Sequence, residues 1–373
     1  MIYNGKEIKK LGFGLMRLPT IDGEVDIEQS KQMVDTFIEN GFTYFDTAYI
    51  YMNEKTEYAA KEVLFDRYPR ESFQFATKLS GWIGQTAEEA QSMFFKSLER
   101  TGAGYFDFYL LHSINKARIK LYEERGLWKF ILEQKQQGKI KNIGFSFHDS
   151  ADILDELLTA HPEVDFLQLQ INYADWEDLI VQSRKCYEVA TKHNKPVIVM
   201  EPVRGGALAT PPPQIQEIFD AADTQMPYAH WALGFPASLD NVMMVLSGMS
   251  TIEQMEQNVA FMKDFKKLSD EQQKVINHAQ DVFKTIPNIP CTACQYCVKD
   301  CPEEIDIPTL LGVMNKILVY DDMNGATRTY NWATAKNGKF ASSCIGCRTC
   351  EDRCPQSIKI ADELTRIAEV FGK

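Results

Sequence analysis

Four polar side chains stand at or just beyond the ends of apolar runs in the first third of the chain. Asp46 closes Tyr44-Phe45-Asp46, Lys78 closes Phe75-Ala76-Thr77-Lys78, His112 closes Leu110-Leu111-His112, and Tyr51 follows Asp46 in the next loop. A free phenol titrates near about 10, too high for an effective acid at neutral pH, and a neighbouring ammonium lowers that value by stabilising the phenolate. Lys78 could supply the charge, a carboxylate beside it keeps it protonated and oriented, and an imidazole can hold a substrate oxygen by a hydrogen bond. The chemistry of such a set is protonation of a carbonyl oxygen while a hydride reaches the carbon.

A second set of reactive residues lies far downstream. Of 9 cysteines, only Cys186 lies outside the segment Cys291–Cys354. Residues 291 to 302 read Cys291-x2-Cys294-x2-Cys297-x3-Cys301-Pro302, and Cys344-x2-Cys347-x2-Cys350-x3-Cys354-Pro355 repeats the pattern. Three thiolates at this spacing can take three corners of an iron–sulfur cubane, with a distant cysteine closing the fourth. Four-cysteine zinc sites also use the C-x2-C step, but they pair two such dipeptides and need no tripled spacing with a trailing Cys-Pro. No secretion signal supports a disulfide framework.

Something must hold these groups in place. Eight apolar runs read as strands: Leu11–Met16, Tyr44–Ala48, Phe73–Leu79, Phe106–His112, Asn142–Phe147, Phe166–Ile171, Pro196–Pro202 and Asn241–Leu246. They alternate with helical patterns such as Ile27–Asn40, Ala87–Thr101, Ala151–Ala160, Ser183–His193 and Ile252–Phe261. Asn53, Thr86 and Ser250 or Thr251 are candidate helix caps. Eight βα units over about 250 residues match a (β/α)8 TIM barrel, whose working residues sit at strand C-termini. No G-x-G-x-x-G follows an early strand, so a Rossmann site has no support. Ile2-Tyr3 and Glu7-Ile8 around Asn4-Gly5 predict an opening hairpin. Leu208–Pro213 reads as a loop, and the breaker from Thr285 to Pro290 as a linker. The expected domains are therefore a barrel over 1–285 and a cysteine-rich domain over 286–373. Thr309–Val319 and Ile360–Phe371 have helical periodicity, which predicts a ferredoxin-like dicluster domain of the α-helical kind.

Asp46-Thr47-Ala48-x-x-Tyr51, Ala76-Thr77-Lys78 and Leu110-Leu111-His112 resemble the Asp, Tyr, Lys and His tetrad of the aldo-keto reductases. Leu11–Gly14, Gly138–Ser146 and Gly248-x-Ser250-x3-Gln254-x3-Asn258 resemble further segments of that family. The resemblance implies Tyr51 as general acid, Lys78 tuning it, Asp46 supporting Lys78 and His112 orienting the carbonyl. It implies that Ser146 and Gln168 hold the nicotinamide carboxamide, and that Arg204, Gly206, Gly248, Ser250, Gln254 and Asn258 line the diphosphate and adenosine end. Phe147 stands where the family usually has Asn, and Gln257 where an acid often precedes the last Asn. The Gly-x-Ser plus Gln form is similar to the NADPH-using potassium-channel β-subunits, which implies NADP, with NAD the alternative. The cysteine runs resemble two-cluster ferredoxins, in which the fourth Cys of each run ligates the other cluster. That implies one [4Fe–4S] on Cys291, Cys294, Cys297 and Cys354, and another on Cys344, Cys347, Cys350 and Cys301.

The chain of 373 residues has a net charge of −12, a field that repels nucleic acid and anionic membrane surfaces. It has no apolar run of the roughly 20 residues that a membrane span needs, and no signal-peptide pattern, so a cytoplasmic enzyme is expected. The expected function is NAD(P)H-dependent reduction of an aldehyde or ketone, with the clusters serving electron exchange with a ferredoxin or flavodoxin, or serving structure. The alternative is an electron-transfer protein or redox sensor that couples a barrel-bound redox cofactor to ferredoxin. Nothing identifies a flavin site. Trp82 and Trp176 are candidates for a substrate pocket or for packing, while His148, His161, His193, His230 and His278 read as ordinary and Cys186 as a buried apolar side chain.

Overall fold

The computed structural model describes residues 2–3, 6–178 and 181–372. Eight strands form a closed barrel: β1 (Leu11–Gly14), β2 (Tyr44–Asp46), β3 (Gln74–Leu79), β4 (Phe106–Ile114), β5 (Ile140–Phe147), β6 (Phe166–Gln170), β7 (Val197–Met200) and β8 (Val242–Ser247). Each pairs in parallel with its neighbours in sequence, and β8 closes onto β1 through Val245↔Leu11 and Ser247↔Phe13. The eight predicted runs are the eight strands, with ends shifted by up to a few residues. The strands Ile2–Tyr3 and Lys6–Glu7 pair antiparallel as expected, and the Asn4-Gly5 turn lies outside the described residues.

Side chains alternate along a strand, so residues two apart share a face. Tyr44, Ala76, Phe108, Leu110 and Phe166 belong to one buried apolar cluster, in which Tyr44 meets Phe108 edge-on at 5.2 Å and Phe108 meets Phe166 at 5.1 Å. Two residues further along their strands stand Asp46, Lys78, His112 and Gln168, all buried. A packed aromatic floor therefore underlies the polar layer. Gly12 on β1 makes this packing possible: a Cβ there would lie 2.7 Å from Leu246 and 2.9 Å from Tyr44.

The helix Ala87–Thr101 shows how the outer layer is specified. Ala90, Met93, Phe94 and Ser97 repeat at helical spacing and are buried, Thr86 caps the start by accepting from the Glu89 N–H, and Gly102 ends it at φ 69°. Truncating the fully buried Phe94 to Ala is expected to cost about 3–5 kcal/mol. Two local expectations are corrected. Asn53 is not a cap: Met52, Asn53 and Glu54 all take positive φ, and the next helix starts at Thr56 behind Lys55. Nor is all of Leu208–Pro213 loop, since Arg204–Ala209 is a 3-10 segment and Pro213 opens the helix Pro213–Ala222, where its missing N–H would be unpaired anyway.

By compactness the chain falls into two units, 1–202 with 233–268, and 203–232 with 269–373. In the second unit, Pro213–Ala222 packs on Asp270–Phe283, while Ile307–Tyr320 packs on Met323–Asn337 and Ile360–Phe371. The core of these last three helices joins Leu310, Leu311, Met314, Tyr330, Leu364 and Ile367, and Tyr330 stacks on Phe371 at 4.3 Å. Helices and loops, with no strands, carry the two cysteine runs among the described residues. No helix among the described residues is long and apolar enough to cross a membrane.

Candidate active site

Asp46, Lys78 and His112 sit near the C-terminal ends of β2, β3 and β4, and Tyr51 lies in the loop after β2. The Lys78 ammonium donates to Asp46 Oδ1 at 2.5 Å and to the Thr47 carbonyl at 2.6 Å, while the Gln168 amide donates to Asp46 Oδ2 at 3.1 Å. Burial pushes Lys78 below and Asp46 above their usual values, and each charge holds the other ionised. Lys78 Nζ lies 4.8 Å from the centroid of the Tyr51 ring, and that ring meets His112 edge-on at 5.7 Å. The four residues converge on one site.

His112 Nδ1 is 2.9 Å from Ser80 Oγ. Burial drives the His112 pKa well below the usual imidazole range, and Lys78, His148 and Arg118 reinforce this. His148 is likewise depressed to about 3, by burial first and then by Arg118 and Lys78. Both imidazoles are neutral near pH 7. A pH–rate profile is therefore expected to show no inflection near the usual imidazole value of about 6.5. Stability should fall on acidification below that value, because the unfolded chain takes up protons that the folded imidazoles refuse. Thermal melts from pH 7 to pH 4 measure this, and a flat melting temperature would contradict it.

Trp82 sits 5.2 Å from His112 and beneath the Arg118 guanidinium at 4.2 Å, whereas Trp176 packs on Phe235 and Tyr187. Trp82 thus belongs to the site and Trp176 to the packing. Arg118 and Ser80 escaped the sequence reading, and His148 was read as ordinary. Their signal was position, since Ser80 and His148 each directly follow a strand end.

Ser146 and Gln168 face the same region from β5 and β6. Ser146 Oγ accepts from the Ser113 N–H at 2.6 Å, and its own hydroxyl hydrogen can still donate. Gln168 uses its NH2 on Asp46, and its carbonyl can still accept. One donor and one acceptor complement a carboxamide. After β8, Ser250 Oγ donates to the Arg17 carbonyl at 2.8 Å, Gln254 Oε1 accepts from the Ser250 N–H at 2.8 Å, and Asn258 donates inward to Ser247 Oγ at 3.1 Å. The stem of Arg17 covers Gly248, where a Cβ would lie 3.2 Å from it. Arg17, just beyond β1, is thus a cation beside Gly248 and Ser250 that the sequence reading overlooked.

Arg204 and Gly206 lie in the second unit. Arg204 is buried with its guanidinium 5.4 Å from the Phe283 ring. Between them Gly205 takes φ 66°, and a Cβ on it would stand 2.5 Å from the Thr292 carbonyl, within the first cysteine run. Gly205→Ala is expected to destabilise the protein by roughly 1–3 kcal/mol and to lower its iron content, as read from a thermal melt and an iron assay.

Cysteines of the two runs bear on one another electrostatically. Burial raises the Cys297 thiol, and the charges of Cys294, Cys291 and Cys354 add to it. Burial raises Cys350 to about 11, with Cys344, Glu351 and Cys301 contributing. Each neighbourhood thus includes the fourth cysteine of the other run. The N–H groups of Ile358, Gln356 and Ser357 aim at Cys354, the Ala293 N–H lies 3.4 Å from the Cys291 sulfur, and Thr349 donates to Cys347. N–H groups aimed at a sulfur stabilise the thiolate, which is the form that ligates iron. Among the described residues no three acidic, His or Cys side chains converge on a single ion. Thiolates are the donors that a [4Fe–4S] cubane takes, so the chemistry of the donor set fits one.

A closed parallel barrel with this site defines the class, and the comparisons agree: residues 10–281 match the aldo/keto reductase family, and residues 290–358 match a 4Fe-4S dicluster domain. The chain belongs to the aldo/keto reductase family. It is 25% identical over 206 residues to the 9,11-endoperoxide prostaglandin H2 reductase of Trypanosoma cruzi, spanning 55% of this chain and 65% of that protein. It is 26% identical over 219 residues to the glyoxal reductase of Bacillus subtilis, spanning 52% of this chain and 74% of that protein. An aldo-keto reductase of Klebsiella pneumoniae in complex with NADPH superposes with a TM-score of 0.59 at 21% identity, over 73% of this chain and 90% of that one. The holo form of an aldo-keto reductase from Bacillus halodurans gives 0.60 at 22%, over 74% and 93%.

Proposed function

We propose that this oxidoreductase reduces an aldehyde or ketone to an alcohol with NADPH, Tyr51 being the general acid, and that its C-terminal part carries two [4Fe–4S] clusters. The observation that carries the reading is the Asp46–Lys78 pair at 2.5 Å with its ammonium 4.8 Å from the Tyr51 ring. When bound, the reduced nicotinamide supplies the hydride. Lys78 stabilises the phenolate that remains once Tyr51 has given its proton to the carbonyl oxygen, and Asp46 keeps Lys78 charged and aimed. His112, neutral and steadied by Ser80, donates from Nε2 to the same oxygen. Ser146 and Gln168 orient the carboxamide. Gly248, Ser250, Gln254 and Asn258 serve the diphosphate and adenosine end. NADP is preferred to NAD on the likeness to NADPH-bound neighbours. The reductase part is 1–285 and the cluster part 286–373, in a cytoplasmic protein.

When loaded, the clusters exchange single electrons with a carrier such as ferredoxin or flavodoxin. What favours this over a purely structural role is exposure: Ile345, between Cys344 and Cys347, is 65% exposed, and Cys347 is exposed too. The test combines two assays. Loss of NADPH absorbance with aldehydes should follow alcohol formation, and no turnover with any aldehyde would end the reductase reading. Anaerobic addition of NADPH without aldehyde tests the electron-transfer alternative, which requires bleaching of the cluster band.

A further inference from the structure

The loop from β2 to the helix that starts at Thr56 carries Tyr51 next to a strained stretch of backbone. Met52, Asn53 and Glu54 take φ of 47°, 57° and 69° in succession. Asparagine tolerates the left-handed region, whereas methionine and glutamate persist there only where their surroundings over-determine the chain. Inside the loop the hydrogen bonds are local turns, with the Tyr51 N–H donating to the Ala48 carbonyl at 3.1 Å and the Lys55 N–H to the Met52 carbonyl at 3.4 Å. Such turns leave the strained run to be fixed from outside.

Arg100, in the last turn of the helix Ala87–Thr101, does this. Its buried guanidinium donates through one nitrogen to the Tyr49 carbonyl and to Glu57 Oε2, each at 3.3 Å, and through another to Glu54 Oε2 at 2.6 Å. Its Cζ also lies 3.9 Å from the centroid of the Tyr49 ring. Tyr49 precedes Tyr51 and Glu54 follows it, so one side chain bridges the loop across the phenol. Only a planar fork of fixed donors can reach several acceptors in this way, which an ammonium cannot. The end of the loop is tied as well: buried Glu57 accepts from the Thr77 hydroxyl at 2.7 Å, and the Thr47 and Thr56 hydroxyls meet at 2.6 Å. Thr77 directly precedes Lys78 on β3, and the Thr47 carbonyl accepts from the Lys78 ammonium. The strand that bears the ammonium and the loop that bears the phenol thus share one frame.

We propose that Arg100 is a positioning residue for the general acid: by joining Tyr49, Glu54 and Glu57 it holds the Tyr51 phenol at its station beside Lys78 and His112. It acts through the loop and not on the reacting atoms. This rests on the reductase reading above and deepens it. A displacement of about 1 Å at a reacting group, caused from a distance, can lower a rate by about 100-fold.

In the cluster-loaded protein, Arg100→Met should lower kcat for aldehyde reduction by about 10- to 100-fold and leave NADPH affinity within about twofold. Glu54→Met cuts the partly exposed end of the bridge and leaves Glu57 its cation, so it decides the matter if Arg100→Met does not fold. Its expected loss in kcat is about 3- to 10-fold. A merely structural role would not pass the double-mutant cycle: in the Tyr51→Phe protein, single-turnover rates should change by less than about twofold on either substitution, because no phenol remains to be positioned. Equal losses in both backgrounds, a fall in NADPH affinity that matches the fall in kcat, or an undiminished kcat would overturn the proposal. Should the wild type turn over no aldehyde, the reductase reading fails by itself, and hydrogen exchange read by mass spectrometry decides the bridge separately. Exchange in Glu54→Met should then rise in peptides covering residues 47–57 and stay unchanged elsewhere, and unchanged exchange over 47–57 refutes the bridge. Far-UV circular dichroism of each variant checks that it folds.

Discussion

Tyr51→Phe should lower kcat for aldehyde reduction by about 10²–10⁴, the range that a well-placed general acid contributes. NADPH affinity should stay within about twofold, because only the proton donor is removed. The two readings together matter: a loss of rate with retained cofactor affinity places Tyr51 in the chemical step, whereas loss of both would make it a packing residue. Lys78→Met should slow the reaction comparably for a different reason, because the phenol loses the cation lying 4.8 Å from its ring. It should also destabilise the fold by roughly 3–5 kcal/mol, since Asp46 would be left buried without its partner. Full activity in Tyr51→Phe would remove the phenol from the mechanism.

The second large effect concerns iron. Two cubanes give about eight iron atoms per chain, and Cys354→Ala should leave about four. Which cluster disappears is the sharper question, and a double variant answers it. If Cys354 shares a cluster with Cys291, as their common place around Cys297 indicates, Cys291→Ala with Cys354→Ala strikes one cluster twice and still leaves about four irons. If each run closed its own cluster, the same pair would strike both and leave almost none. Iron and sulfide analysis of anaerobically purified protein separates the outcomes.

The tetrad was legible because a parallel strand covered on both faces is almost wholly apolar, so Asp46, Lys78 and His112 stood out at its ends. The cysteine runs were legible because a cubane imposes its spacing on the chain. Arg118 was not, because nothing in Lys116–Glu124 marks it. Its place is decided by a ring from the loop after β3 and by oxygen atoms of Ser113, contacts that only the folded barrel makes. Asn53 misled as a cap because a short polar side chain suits left-handed turns as readily as helix starts, and here the turn prevailed at φ 57°. Pro213 misled because proline stops a helix from within but opens one comfortably.

The contact between Gly205 and Thr292 bears on how this molecule can be taken apart. Thr210 accepts a hydrogen bond from the Tyr320 hydroxyl at 2.8 Å, and residues 203–232 belong to the same compact body as the metal-binding tail. A gene fragment stopped after codon 285 would encode the stretch following β7 stripped of the backbone it leans on. Excision at that apparent seam would divide a compact body, and grafting residues 286–373 onto another barrel would need residues 203–232 to travel with them.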